Sequence, residues 1–158
     1  MRVAVGSDHG GFRLKQEILN FLRNQNAEFY DFGAFSTDSC DYPDVASTVA
    51  EAVARGEFTF GILVCGTGIG VSIAANKVPG IRAALCHDTF SARMAREHND
   101  ANVLTLGERV VGPGLALDIV RAWLNADFAG GRHAGRVDKI TAIERRFEPR
   151  STMNDKKN

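Results

Sequence analysis

The alternation of short apolar runs with helical patterns is the feature that most restricts how this 158-residue chain can fold. Five runs are short enough to be strands, and each is followed by a stretch with apolar residues at helical spacing. The runs are RVAV (2–5), AEFYDF (27–32), TFGILVC (59–65), IRAALC (81–86) and VLTL (103–106). This order is typical of a parallel sheet, because parallel strands need a crossover helix between them.

Three of these runs contain ILVC, AALC and VLTL, which are apolar on both faces, as in strands covered by helices on both sides. We therefore predict an α/β fold, a three-layer α/β/α sandwich around a five-stranded, parallel, Rossmann-like sheet. A sixth helix is predicted over residues 136–147. Residues 1–147 would form a single domain, and the polar residues 148–158 are predicted to be a disordered tail.

Charge and cysteine content restrict the partners of the chain. Lysine plus arginine equals aspartate plus glutamate at 19 each, so no basic field attracts nucleic acid or an anionic membrane. No segment approaches the length of a membrane span, and the first residues lack a signal-peptide core. The 3 cysteines lack CxxC spacing, which predicts neither a disulfide framework nor a zinc site. We expect a cytoplasmic protein that binds a small ligand.

The segment CGTGIG (65–70) follows the third predicted strand and carries the strongest chemical signal. A glycine-rich turn before a helix presents backbone N–H groups to negative charge. Cys65 begins this turn, and a helix N-terminus lowers the pKa of a thiol from about 8.5. A thiolate at this position is suited to take a proton from a carbon next to a carbonyl, and the loop amides would stabilise the resulting oxyanion.

Polar residues also accumulate near the ends of the other predicted strands. They are Asp8 and His9 after the first strand, Cys86, His87 and Asp88 after the fourth, and His98, Asn99 and Asp100 before the fifth. We expect them to share the rim at the carboxyl ends of the strands, which would bring three histidines together. The simpler interpretations are a turn or helix cap for the Asp-His pair and a small core residue for Cys86.

Other phosphate-handling classes fit this sequence poorly. GTGIG with Asp88 is similar to a dinucleotide-binding fingerprint, but Val71 occupies the position of the third glycine. Val71 also stands where a cysteine phosphatase requires arginine, and no Walker Gly-Lys-Ser/Thr is present. A metal hydrolase that uses the dispersed histidines and aspartates remains an alternative, although their spacing matches no ligand signature.

Six motifs resemble those of a known family. They are SDHGG (7–11), DYPD (41–44), CGTGIGVSIAANKVPGIRA (65–83), HND (98–100), GERVVG (107–112) and GGRHAGRV (130–137). Together they are similar to the sugar-phosphate isomerase family, which includes type B ribose-5-phosphate isomerases and the allose- and galactose-6-phosphate isomerases. The resemblance extends from the first strand to about Phe147.

The resemblance implies interconversion of D-ribose 5-phosphate and D-ribulose 5-phosphate through a cis-enediolate, with no metal and no cofactor. It makes Cys65 the proton acceptor and His98 the acid in ring opening, and it places Thr67 and Asp8 in the catalytic set. One branch of the family has serine for this cysteine and a glutamate after the loop. Cys65 and Val71 assign the chain to the cysteine branch.

The resemblance also implies the substrate-binding set and the assembly. The implied binding residues are Asp8, His9, Gly66, Thr67, Gly68, Ile69, Gly70, Asn99, Arg109, Arg132 and Arg136. The three arginines fall on phosphate-side positions, where a guanidinium fork suits the dianion. A homodimer or a tetramer with the site at the subunit interface is expected. An allose- or galactose-6-phosphate isomerase and a non-catalytic sugar-phosphate sensor remain alternatives.

Overall fold

Five strands and six helices alternate along the chain in the computed structural model, which describes residues 1–147. The strands are β1 (Arg2–Ser7), β2 (Glu28–Asp31), β3 (Phe60–Cys65), β4 (Ala83–Leu85) and β5 (Val103–Gly107). The helices are α1 (Phe12–Asn24), α2 (Tyr42–Ala54), α3 (Ile69–Ala75), α4 (Thr89–Asn99), α5 (Pro113–Leu124) and α6 (Arg132–Phe147). The predicted tail, 148–158, lies outside the described residues.

All neighbouring strands are parallel, and their order across the sheet is β2-β1-β3-β5-β4. Helices α1, α4 and α5 cover one face, while α2 and α3 cover the other. The predicted three-layer sandwich is therefore confirmed. Successive strands are added on opposite sides of β1, so β1 and β3 form a switch point at which their following loops diverge and open a crevice.

Strand residues alternate between the two apolar cores, as the two-residue period of a strand requires. Val5, Val64 and Leu106 pack under α1 and α5, where Trp123 is fully buried. Their neighbours on the opposite face, which pack against α2 and α3, include Leu63. Because helices cover both faces of the central strands, the part of the sheet that remains accessible to polar ligands is at the ends of its strands.

Helix α6 packs against α4 through its first turns. His133 and Val137 are buried there, whereas Ile140, Ile143 and Phe147 toward the end of the helix are exposed. The structure extends this helix four residues earlier than the sequence pattern predicts, so that it begins at Arg132. No helix within residues 1–147 is long and apolar enough to cross a lipid bilayer.

Candidate active site

Cys65 is the last residue of β3, and its side chain lies between the apolar core under α2 and α3 and the loop that follows. The residue is 5% exposed, and the backbone N–H of Gly68 donates to its Sγ at 3.1 Å. A backbone donor aimed at sulfur stabilises negative charge on that atom. The structure therefore holds a nearly buried thiol in contact with the amides that follow it.

The loop geometry depends on Gly68, which has φ of +76° and immediately precedes α3. A side chain there would be strained, and a Cβ atom would also lie 2.5 Å from Leu85 Cδ1. The turn brings the N–H of Gly68 back toward Cys65 and starts α3 at Ile69. The Gly70 N–H lies in the first turn of that helix, where amides have no intrahelical partner.

The turn after β1 lies against the same loop. Asp8 is buried, and its Oδ1 accepts a hydrogen bond from Gly11 N at 3.1 Å. Gly11 sits so close to β3 that a Cβ atom would lie 2.5 Å from the Val64 carbonyl. His9 is half-buried, with Nδ1 3.2 Å from Cys40 N. Asp8 and His9 thus lie at the carboxyl edge of the sheet beside β3, as predicted.

Arg109 extends over the glycine loop from the end of β5. A Cβ atom built on Gly66 would lie 3.0 Å from Arg109 Nη1, which places the exposed guanidinium directly over the loop. The backbone also joins the two segments, because Arg109 N donates to Gly66 O at 3.0 Å. This arginine supplies positive charge beside Cys65, where a substrate phosphate or an oxyanion would be attracted.

Tyr42 and Glu108 belong to this region, and neither is in the predicted site set. The sequence is compatible with Tyr42 either lining the pocket or packing, and it gives no signal for Glu108. The Tyr42 ring packs on the loop, since a Cβ atom on Gly70 would lie 2.8 Å from two of its carbons. Glu108 accepts a hydrogen bond from Leu14 N at 2.9 Å and so joins the end of β5 to α1. Tyr42 lies in the DYPD motif and Glu108 in the GERVVG motif, but a sequence motif does not show which residues contact each other.

The expectation that three histidines share one rim is wrong. His9 and His87 follow strands, but His98 is in the last turn of α4 and precedes β5. A crossover helix carries the chain back to the amino ends of the strands, so His98 lies at the edge opposite Cys65. The register pairs Gly61 with the start of β5, and Gly61 is about 13 Å from Cys65 at the usual rise of a strand.

A second cluster occupies this amino edge. The His98 ring stacks on His133 of α6 with centroids 4.2 Å apart and planes 8° apart. Asn99 ends α4, and the carbonyl of Asn99 accepts a hydrogen bond from Arg82 just before β4. Arg132 and Arg136 flank His133 on the first turns of α6 and are exposed. One copy of the chain therefore divides the predicted site residues between two edges.

His133 is a further functional candidate, missed because only the arginines of its motif were carried over. It is 9% exposed, and burial is the main cause that lowers the pKa of His133 from its ordinary 6.5, followed by repulsion from His98, Arg132 and Arg136. A ring with a lowered pKa is favoured in its neutral form. The stack consequently places a neutral imidazole against the face of His98.

Two of the residues after β4, Cys86 and Asp88, have structural roles. Cys86 is 2% exposed in the core, and burial, followed by repulsion from Asp88, raises the pKa of its thiol to about 11. Asp88 caps α4 by accepting from Ser91 N at 2.7 Å, and this hydrogen bond is the largest cause that lowers the Asp88 pKa. The core interpretation of Cys86 is confirmed.

Within residues 1–147 of one copy, no three His, Cys, Asp or Glu side chains form a group suited to a metal ion. The metal-hydrolase alternative therefore has no ligand set in the described part of a single chain. The carboxyl edge instead combines a thiol, backbone donors, a buried carboxylate, an imidazole and a guanidinium. Those groups are suited to bind an anionic substrate and to remove a proton from carbon.

The chain is similar to known proteins over nearly its whole length. A family model described as Ribose/Galactose Isomerase matches residues 3–140. The ribose-5-phosphate isomerase B of Escherichia coli is 55% identical over 145 residues, which cover 92% of this chain and 97% of that protein. The D-erythrulose-4-phosphate isomerase of Pectobacterium atrosepticum is 48% identical over 145 residues, with 91% of this chain and 95% of that protein covered.

A solved structure agrees in fold as well as in sequence. Ribose-5-phosphate isomerase B from Clostridium thermocellum is 60% identical and superposes with a TM-score of 0.92, covering 93% of this chain and 99% of that one. The matched part includes both edges of the sheet described above.

Proposed function

Because the chain belongs to the ribose/galactose isomerase family, we propose that it interconverts D-ribose 5-phosphate and D-ribulose 5-phosphate with Cys65 as the base. The family makes it an aldose–ketose isomerase, an enzyme that moves a proton between adjacent carbons of an open-chain sugar. The observation that carries the proposal is the nearly buried Cys65 thiol, with the Gly68 N–H at 3.1 Å from its sulfur.

We assign the proton transfer between C2 and C1 of the sugar to the residues at the carboxyl edge. The Cys65 thiolate takes the proton from C2 of the open-chain aldose, giving a cis-enediolate. The hydroxyl proton of O2 then passes to O1, and the Cys65 thiol returns a proton to C1, which leaves the ketone at C2 and restores the thiolate. The hydroxyl of Thr67 and the loop amides at Gly66 and Gly70 would hydrogen-bond the sugar oxygens, where negative charge develops. Asp8 and His9 border the same loop and would hold the hydroxyls or phosphate of the sugar.

Ring opening requires a different group, because the cyclic aldose must regain its aldehyde before C2 becomes acidic. His98 would act as the acid by giving a proton to the ring oxygen, and Asn99 would then hydrogen-bond the open chain. Arg109 at one edge, with Arg132 and Arg136 at the other, supplies guanidinium groups for the phosphate.

We further infer that two copies of the chain share each complete site. A single copy separates Cys65 from His98 by about the length of the sheet, so one copy cannot bring both to one sugar. Exposed apolar residues near the Cys65 loop are suited to be covered by a second copy: Ile69 is 50% exposed, Ile73 59% and Phe90 65%. A homodimer is the smallest assembly that meets this requirement.

The test is conversion of ribose 5-phosphate by the wild type, Cys65→Ala and Cys86→Ala, with and without EDTA. Removing a general base lowers kcat by roughly a thousandfold, so Cys65→Ala should lose nearly all turnover. Cys86→Ala is the matched control, since it also replaces a buried strand-end cysteine and should retain turnover.

Substrates run in parallel determine which sugar is preferred. Allose 6-phosphate, galactose 6-phosphate and erythrulose 4-phosphate are compared with ribose 5-phosphate by kcat/KM, and we expect the pentose to be the best. Full turnover by Cys65→Ala would contradict the base assignment, and inactivation by EDTA would revive the metal-dependent alternative. If no sugar is converted, a sugar-phosphate sensor on this fold becomes the better explanation.

A further inference from the structure

We propose that Asp100 is a positioning residue that sets the direction of His98 through a clamp formed with Arg82 and Arg96. The inference rests on the role proposed above for His98. Asp100 lies two residues after His98, at the point where α4 ends and the chain turns into β5.

The backbone at Asp100 is left-handed, with φ of +46° and ψ of +44°. A non-glycine residue rarely adopts this conformation, and aspartate tolerates it better than most residues. The helix is thus stopped abruptly one residue after Asn99. The direction of the last helical turn depends on what holds this turn in place.

Two arginines hold the Asp100 carboxylate from opposite sides. Arg96 Nη1 donates to Oδ1 at 2.8 Å, and Arg82 Nη2 donates to Oδ2 at 3.0 Å. Arg82 also donates to the Asn99 carbonyl at 3.0 Å and to the Asp100 carbonyl at 2.8 Å. Its guanidinium therefore satisfies the terminal carbonyls of α4 and the carboxylate with one planar group.

Arg96 anchors this clamp in the core. Its side chain is 8% exposed, and its guanidinium carbon lies 4.5 Å from the centroid of the Phe60 ring. The same Nη1 atom donates to the Ala101 carbonyl at 2.8 Å. A buried arginine with fixed partners cannot change rotamer freely, so the last turn of α4 has a fixed rotation about its axis.

That rotation determines where His98 projects. Residues two positions apart on a helix are separated by about 200° around the axis, so an inward Arg96 forces His98 to the opposite side. His98 accordingly lies away from the core, against His133 of α6. If the clamp is lost, the helix end is free to rotate or fray, and the His98 ring loses its alignment with the sugar.

Two substitutions of Asp100 separate the effect of the carboxylate from that of the backbone conformation. Asp100→Gly keeps the left-handed turn accessible but removes the clamp, and Asp100→Asn keeps the turn and one carbonyl acceptor. The matched control is Glu97→Gln, which removes the exposed ion pair of Arg93 and Glu97 on the same helix. The control should behave as the wild type.

Two readouts distinguish positioning from general damage. Turnover of ribose 5-phosphate includes ring opening, whereas exchange of the C1 protons of ribulose 5-phosphate with deuterium oxide does not, because a phosphorylated C5 oxygen cannot close the furanose. We expect Asp100→Gly to lower kcat for ribose 5-phosphate roughly tenfold or more and the exchange rate less than about threefold, since misplacement of an acid affects only its own step. Asp100→Asn should recover part of the lost turnover.

Wild-type turnover in Asp100→Gly would overturn the inference, because the conformation alone would then suffice. Equal losses in both readouts would also overturn it. If the glycine variant does not fold, the same comparison is made with Asp100→Asn. His98→Asn is measured in parallel. If His98→Asn loses more turnover than exchange and the Asp100 variants do not, only the clamp is wrong. If His98→Asn loses turnover and exchange equally, the acid role of His98 is itself refuted.

Discussion

At the residue scale, Cys65 and Cys86 show how neighbouring strand ends give the same side chain different chemistry. Cys86 is enclosed by core residues, which raises its pKa to about 11 and keeps the thiol protonated near neutral pH. Cys65 instead faces a loop whose Gly68 N–H points at its sulfur. The choice of Cys65 as the base therefore rests on an anion-stabilising contact that Cys86 does not have among the described residues.

The His133 pKa gives a prediction for stability against pH. Because folding lowers this pKa, the unfolded chain binds more protons than the folded chain as the pH falls below 6.5. The contribution of neutral His133 is therefore complete above pH 6.5 and is lost as the pH falls toward the lowered value.

Urea denaturation of the wild type and His133→Gln from pH 7.5 to 5 measures this contribution. We expect the wild type to lose more unfolding free energy than the variant across the acidic part of this range, as proton linkage requires. Because His98 is coupled to His133 by charge repulsion, the difference reports the stacked pair of rings. Parallel stability curves would show that His133 binds protons equally in both states.

Contacts between residues were predictable where they are local. Cys65 and the glycine loop are adjacent in sequence, so their contact follows from one strand-to-helix turn. Tyr42 and His133 are outside the predicted site set because each contacts a residue from another element, Gly70 and His98 respectively. No spacing rule along the chain encodes such contacts.

At the scale of elements, Glu108 links the end of β5 to the start of α1. Gly11 precedes that helix and offers no side-chain cap, and the Glu108 carboxylate accepts from Leu14 N at 2.9 Å instead. Glu108 N also donates to the Cys65 carbonyl at 2.9 Å. Glu108 thus joins the end of β5, the end of β3 and the N-terminus of α1.

Replacement of Glu108 should therefore cost stability. We expect Glu108→Gln to lower the unfolding free energy by about 1 kcal/mol, because the negative charge at the helix N-terminus is lost while one acceptor remains. Glu17→Gln is the control, since Glu17 is exposed in the middle of α1. Both are measured by urea denaturation at pH 7, and an equal, near-zero effect of the two substitutions would contradict the cap.

Element types were predictable, whereas their order across the sheet was not. All five strands and six helices occur where the apolar patterns predict them, with ends shifted by a few residues, such as β4 at Ala83–Leu85 inside the predicted 81–86. Hydrophobic periodicity reports burial but not neighbours. That β5 lies between β3 and β4 therefore appears only in the structure.

At the scale of the whole molecule, the predicted site residues are divided between the carboxyl and amino ends of the strands. Cys65 lies at the carboxyl edge and His98 at the amino edge, so a site that uses both needs a second copy. The error in placing His98 came from grouping loops by composition without following the chain direction through α4. In the proposed homodimer, a dyad would bring the carboxyl edge of each copy to the amino edge of the other.

The most direct test is complementation between two inactive variants. Cys65→Ala and His98→Asn are produced together with different affinity tags, and dimers that carry both tags are purified and assayed with ribose 5-phosphate. Each mixed dimer then has one site with both residues intact and one with neither, so we expect about half of the wild-type activity under isologous symmetry. Mixed dimers of Cys65→Ala with the double variant Cys65→Ala/His98→Asn have no intact site and serve as the control. Activity no higher than this control would refute a shared site, because Cys65 and His98 would then act within one chain or not in the same site.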